Sequence, residues 1–158
     1  MKRGKIIKAV IIIAVAGIII AGAVGLYMFN MPHRNVQKAN ADYNLTSSQI
    51  VKEYLTDKDL ANKKYLSEDG DSKVLKISGV VSRISEDYNG QKVVLLKGAG
   101  DKAGVSASFT KETNPNADKL KVSQTVTLKG VIRSGASYDK DLDLYENVIL
   151  EKSDVATK

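Results

Sequence analysis

Few residues in this sequence could do chemistry, and each is limited by its neighbours. The single histidine, His33, lies four residues beyond an uninterrupted apolar run, and there is no cysteine. A Ser-His-Asp relay within a folded domain and a thiolate nucleophile are therefore not expected. His33 reads as a solvated residue of a connecting segment. Asp139, Asp141 and Asp143 alternate as the first ligands of a calcium loop do, but such a loop needs Gly at position 6 and Glu at position 12. Those places hold Leu144 and Leu150. The alternation fits carboxylates on one exposed face of an incoming strand better, where they discourage edge pairing. "SEDGDS" (67–72) is a turn before it is a cation site. The glycine-rich "KGAGDKAG" (97–104) lacks the Gly-Lys-Ser/Thr ending of a phosphate loop and reads as a connection between strands. No catalytic residue, metal site or cofactor is expected.

What remains is a set of binding residues. Arg83, Lys92, Lys97 and Arg133 could line one side of a groove, with Tyr88 and Tyr138 at its loops, and Ser106 and Ser108 point outward on the third strand. Single-strand nucleic-acid binders combine a basic groove with aromatic stacking platforms. Here the platform positions are serines, Trp is absent, and the net charge of +6 lies elsewhere. Lys2, Arg3, Lys5, Lys8, Arg34 and Lys38 face no acid within residues 1–40, and residues 41–158 balance 18 basic against 18 acidic side chains. Nucleic acid is thus a poor fit as a partner, and the eight residues make a mixed polar surface.

The basic excess flanks "AVIIIAVAGIIIAGAVGLYMF" (9–29), which carries no charge. About 20 apolar residues suffice to cross the hydrocarbon core as a helix. Tyr27 and Phe29 would sit at the interface, and the basic 1–8 flank puts the N-terminus in the cytoplasm. The expectation is a single-pass inner-membrane anchor with the rest of the chain on the periplasmic side. A cleaved signal peptide is the competing reading; "AGA" (21–23) resembles a cleavage site but falls inside a run longer than usual for one. Without cysteine, neither a lipidated cysteine nor a disulfide is expected. Residues 30–45 read as a polar tether.

The elements that must position the eight residues follow. "TSSQIVKEYL" opens a helix with the capping-box spacing Thr46–Gln49. "DKDLANKKYL" (57–66) continues that helix or restarts it on Asp57. Strand periodicity then takes over: 73–85, an Asn-Gly turn, 92–98, 105–110, a short helix from Asn114 and Pro115 to about Lys121, 124–135, a turn at "SYDKD", and 142–152, with 154–158 a tail. This order predicts a mostly β domain over 46–153, a five-stranded Greek-key OB-fold barrel after one or two short helices. Gly79 and Gly130 interrupt the two longest strands, where a residue without Cβ would let a strand bend into both sheets and change its inward face. An ordinary bulge in an open sheet is the alternative.

The stretches "NMPHR", "ANKKYL", "KISGVVSRI", "NGQKVVLL" and "DKLKVSQTVTLKGVI" together resemble the tRNA-anticodon-binding-like family of membrane- or lipid-anchored bacterial OB-fold proteins, over about residues 30–150. The resemblance implies an envelope location and the barrel, but no activity. Relatives carry cysteines near the positions of Ile132 and Asn147, and no redox role passes to this chain. The resulting expectation is an envelope binding or adaptor module for an oligosaccharide, peptide or protein partner, with single-stranded nucleic acid as the alternative. The face of the second and third strands is the expected contact surface.

Overall fold

The computed structural model describes residues 2–29, 35–68 and 71–156, with side chains of the first helix described from Ile13 to Leu26. The chain forms two compact units, Met1–Arg34 and Asn35–Lys158. The first is one helix, α1 (Lys2–Phe29), which contains the apolar run 9–29. Among the described residues no helix is long and apolar enough to cross a membrane. His33, Arg34, the first part of the expected tether (30–34) and the centre of "SEDGDS" lie outside the described residues.

In the second unit five strands close into a barrel: β2 (Val74–Glu86), β3 (Lys92–Leu96), β4 (Val105–Phe109), β5 (Thr125–Ser134) and β8 (Val148–Val155). The order is β2-β3-β4-β8-β5, and β5 returns to β2. β4 and β8 run parallel, while the other pairs are antiparallel. The long β2 serves both sides, pairing with β5 through Val74–Val80 and with β3 through Val81–Glu86. The five-residue link to β3 turns at Gly90, whose φ of 74° favours glycine.

Gly79 and Gly130 do not change the inward face as expected, although β2 passes from β5 to β3 just after Gly79. Gly79 shares the inward parity of Leu75, Ile77 and Val81, and the ladder slips only afterwards, at a bulge between Val81 and Arg83. Gly130 likewise keeps step with Val126, Leu128 and Ile132. A Cβ on Gly79 would lie 2.7 Å from Ser47 Oγ, and one on Gly130 would lie 2.6 Å from Ser153 Oγ. Both glycines make room for close neighbours, and at Gly130 the β5–β8 register also shifts, between Lys129 and Val131.

Residues 35–46 are not a free tether. Val36 is buried, and β1 (Tyr43–Thr46) pairs parallel with Leu75–Ser78 of β2. Asp42 fixes the entry, its N–H donating to Val74 O at 2.7 Å and its Oδ2 accepting from Val74 N at 2.7 Å. The capping box forms as read: Thr46 Oγ1 accepts from Gln49 N, and Gln49 Oε1 accepts from Thr46 N. It starts α2 (Ser47–Thr56), which inserts Ile50, Val51 and Tyr54 into the core. Asp57 then caps a second helix, α3 (Lys58–Tyr65), by accepting from Leu60 N at 2.9 Å.

Three further differences follow toward the C-terminus. The short helix is α4 (Asn114–Ala117), and Asn114 is its first residue rather than its cap. The Asn114 side chain instead accepts from Lys92 N and donates to Gly90 O, tying α4 to the β2–β3 hairpin. The "SYDKD" turn is part of a separate hairpin, β6 (Ser137–Asp139) with β7 (Leu144–Glu146). The fifth barrel strand accordingly begins at Val148, and it runs to Val155, taking in the start of the expected tail. Asp139, Asp141 and Asp143 do not form one strand face. Asp139 Oδ1 accepts from the N–H of Asp141 and of Leu142, and Asp143 sits in the turn with φ of 50°.

Candidate functional site

A closed barrel presents every second side chain outward, and one row of these runs across all five strands. Arg83 is opposite Leu95, Leu95 opposite Ser106, Ser106 opposite Ile149, and Ile149 opposite Ser134. Ser106, Ile149 and Ser134 line a cleft of about 440 Å³. Lys58 and Asn62, at the i, i+4 spacing that aligns side chains along one helix flank, form one wall with Leu66, the extended residue just after α3. Ser137, Glu146 and Asn147 form the opposite wall.

The two walls differ in their hydrogen bonding. On the hairpin side Ser137 Oγ donates to Glu146, and Asn147 Oδ1 accepts from Gly104 N at 2.8 Å. These bonds fix the β6–β7 hairpin at the head of β8. On the helix side and the floor, the ammonium of Lys58, the amide of Asn62 and the hydroxyls of Ser106 and Ser134 have no hydrogen-bond partner among the described residues. The half-buried amide of Asn62 and hydroxyl of Ser106, with Ser134 and Lys58 exposed at the rim, offer donors and acceptors to a polar ligand.

The cleft is backed by a rigid contact. Gly135 lines it, and a Cβ there would fall within the Tyr54 ring, so only glycine lets α2 close on the end of β5. Tyr54 is buried with its hydroxyl unpaired. Burial, with smaller contributions from Tyr65 and Glu53, pushes its phenol up to about 12. The other flank of α3 is saturated. Lys64 Nζ and Tyr65 OH both donate to Glu53 Oε2, at 2.9 and 2.8 Å. The ammonium lies 4.8 Å from the centroid of the Tyr65 ring and 5.3 Å from that of Tyr43. Burial opposes ionisation of Glu53, yet the bonds from Lys64 and Tyr65 hold its carboxyl below the usual value.

The eight residues expected from the sequence are dispersed. Ser106 lies in the cleft, Arg83 two strands away on the same row, and Ser108 one step along, opposite Val93. Tyr138 belongs to the hairpin next to Ser137, stacks on Tyr145 at 4.8 Å and donates its hydroxyl to Asp143. Tyr88 is fully exposed at the β2–β3 turn. Lys92 pairs with Glu86 and Asp118 at 3.0 and 3.4 Å. Lys97 donates to Lys102 O, and Arg133 faces Glu151 at 3.9 Å. Lys58, Asn62, Ser134, Ser137, Glu146 and Ile149 were not foreseen; a helix over 57–66 was expected, but the face it meets was not. Among the described residues no group of three or more His, Cys, Asp or Glu side chains could hold a metal ion.

Strand order, the parallel β4–β8 pair and the helix between the third and fourth barrel strands define an OB-fold-like barrel. The chain belongs to the tRNA_anti-like family, whose family model matches residues 1–142. The barrel is also similar to a crystal structure from Klebsiella pneumoniae subsp. pneumoniae described as a "putative nucleic acid-binding lipoprotein". That likeness has a TM-score of 0.51 at 17% identity and covers 72% of this chain and 91% of that one. At this identity it shows the fold alone. No curated protein sequence matches the chain significantly.

Proposed function

We propose that this protein is a membrane-held binding module of the bacterial envelope, without catalytic activity, whose cleft receives an extended polar segment of a partner protein. The tether would be residues 9–29, with the N-terminus cytoplasmic and the barrel on the periplasmic side. The similarity to a protein described as a lipoprotein supports an envelope setting, and the uncharged run with its basic flank supports the tether.

The observation that carries the reading is the cleft, in which Lys58, Asn62, Ser106 and Ser134 have no side-chain partner among the described residues and face a hairpin held by its own hydrogen bonds. Hydroxyls and an amide suit the backbone and side chains of a peptide, and Lys58 and Glu146 can each meet one opposite charge. The outward positions of β3 and β4 are Val93, Leu95, Ser106 and Ser108, which offer no aromatic platform for bases. Photo-cross-linking tests the proposal. A photoreactive residue at Asn62 of the full chain in intact membranes should yield a discrete protein adduct, and one at Lys111 should not. The same adducts from both positions, or none from Asn62, would overturn it. Oligonucleotide binding that weakens steeply with salt would favour the nucleic-acid reading instead.

A further inference from the structure

The chain enters the barrel domain along a strap, Asn35–Ala39, laid on β5 and β8. Lys129 Nζ donates to Gln37 O at 2.6 Å and to Ala39 O at 2.9 Å, and Gln37 Nε2 donates to Lys152 O at 3.1 Å. Beside the strap is a second cavity, about 180 Å³, lined by Gln37, Lys76, Lys129, Asp154, Val155 and Ala156. Lys76 and Lys129 stand directly opposite each other on β2 and β5. Like charges in that relation repel, and neither lysine forms an ion pair among the described residues. Asp154 is the one acid in the lining, and its Oδ1 already accepts from Asn116 Nδ2 and Val155 N. Lys38, on the strap, and Lys152, whose carbonyl holds it, add two more cations without an ion-pair partner among the described residues.

We propose that this cavity binds the phosphate of an anionic phospholipid headgroup and docks this side of the barrel on the membrane. The inference rests on the tether proposed above. Chain length selects the source of phosphate: five residues separate Phe29 from Asn35, and six steps of chain reach at most about 22 Å. A strap that close to the end of a membrane helix stays near the headgroups, and the unneutralised lysine pair sits beside it. An ammonium pair suits a phosphate because each lysine is a compact, strongly donating charge.

The test is a headgroup titration of the full chain in neutral-detergent micelles, read by native mass spectrometry. Short-chain phosphatidylglycerol, short-chain phosphatidylcholine and inorganic phosphate are the three probes. Phosphatidylglycerol should bind best, and Lys76→Gln should weaken it about fivefold, the effect of one lysine near an anionic surface. Lys76→Arg should retain binding and melt as the parent does, whereas Lys76→Gln, relieved of the repulsion by Lys129, should melt no lower than the parent. Equal binding of the two lipids with no effect of Lys76→Gln would overturn the site. Inorganic phosphate binding as tightly as phosphatidylglycerol would overturn the lipid assignment. Alkaline carbonate extraction is run alongside; release of the wild-type chain would overturn the tether, and the docking with it, whatever the titration gives.

Discussion

The two flanks of α3 use similar residues for opposite ends. On one, Lys64 meets Glu53, Tyr65 and Tyr43, so that a single carboxylate oxygen gathers an ammonium and a phenol from two residues of the next helix. On the other, Lys58 and Asn62 face a cleft and bond to nothing among the described residues. The difference is one of partners, not of residue type. A polar group that has found its partner stabilises a packing arrangement, whereas one held open at a half-buried site remains available to a ligand. If this distinction is right, substitutions on the two flanks should separate stability from binding.

The largest effect is expected on the saturated flank. Tyr65 is completely buried and packs edge-on against Tyr43 at 5.2 Å. Tyr65→Ala should cost about 3–5 kcal/mol, the range for truncating a buried aromatic, measured by urea unfolding. A loss below about 1 kcal/mol would mean that α3 is not held there. Next comes the position where the flanks share a support. Gly135→Ala drives a methyl into the Tyr54 ring and should cost about 1–3 kcal/mol as overpacking does. It should also reduce ligand cross-linking at Asn62, since Ser134 and Ser137 move with it. Loss of stability with an unchanged cleft would separate the two flanks further than the geometry implies.

How much of this was legible in the sequence depends on the range of the interaction. Thr46 with Gln49 and Gly90 at its turn are settled within a few residues and were readable from type and spacing, whereas the restart on Asp57, which accepts from Leu60 N, was left open between two readings. Period-two alternation likewise exposed the barrel strands. Asn114 reads as a cap locally, but a better set of partners waits at Gly90 and Lys92, 24 and 22 residues away. β1 was missed because its four residues become a strand only by pairing with β2. The cleft is the extreme case. Asn62 and Ser134 line one cleft from elements 72 residues apart, beside the close approach of Gly135 to Tyr54, which no local pattern announces. The serines on β4 were legible as outward-facing; their neighbours across the cleft were not.

A smaller effect, of opposite sign, is expected at Tyr54. Its hydroxyl is buried without a partner, so Tyr54→Phe removes a desolvation cost and should be neutral or stabilise by up to about 1 kcal/mol. The same residue sets an alkaline limit. Its folded pKa, about 12, exceeds the ordinary 10, so its contribution is complete below pH 10 and is lost as pH rises toward 12. Tyr54→Phe should flatten that part of the stability profile. Glu53 sets the acid side in the reverse sense. Its lowered value means stability present above about pH 4.5 and lost as pH falls through the folded pKa, a loss that Glu53→Gln should remove.

The smallest effect on stability is expected where the effect on binding is greatest. Asn62 makes no side-chain bond within the described chain, and alanine is the better helix former by a few tenths of a kcal/mol. Asn62→Ala should therefore leave unfolding within about 0.5 kcal/mol of the parent, as a substitution does away from packed or paired groups. Lys58→Ala should behave alike, because an unpaired lysine has no partner to strand. With the photoreactive residue moved to Ser134, both variants should lose the adduct that the parent gives. If Asn62→Ala instead lowers stability by more than about 1 kcal/mol while the adduct persists, the open amide is a packing group. The cleft flank would then be structural like the Lys64 flank, and the contrast between the two sides of α3 would vanish.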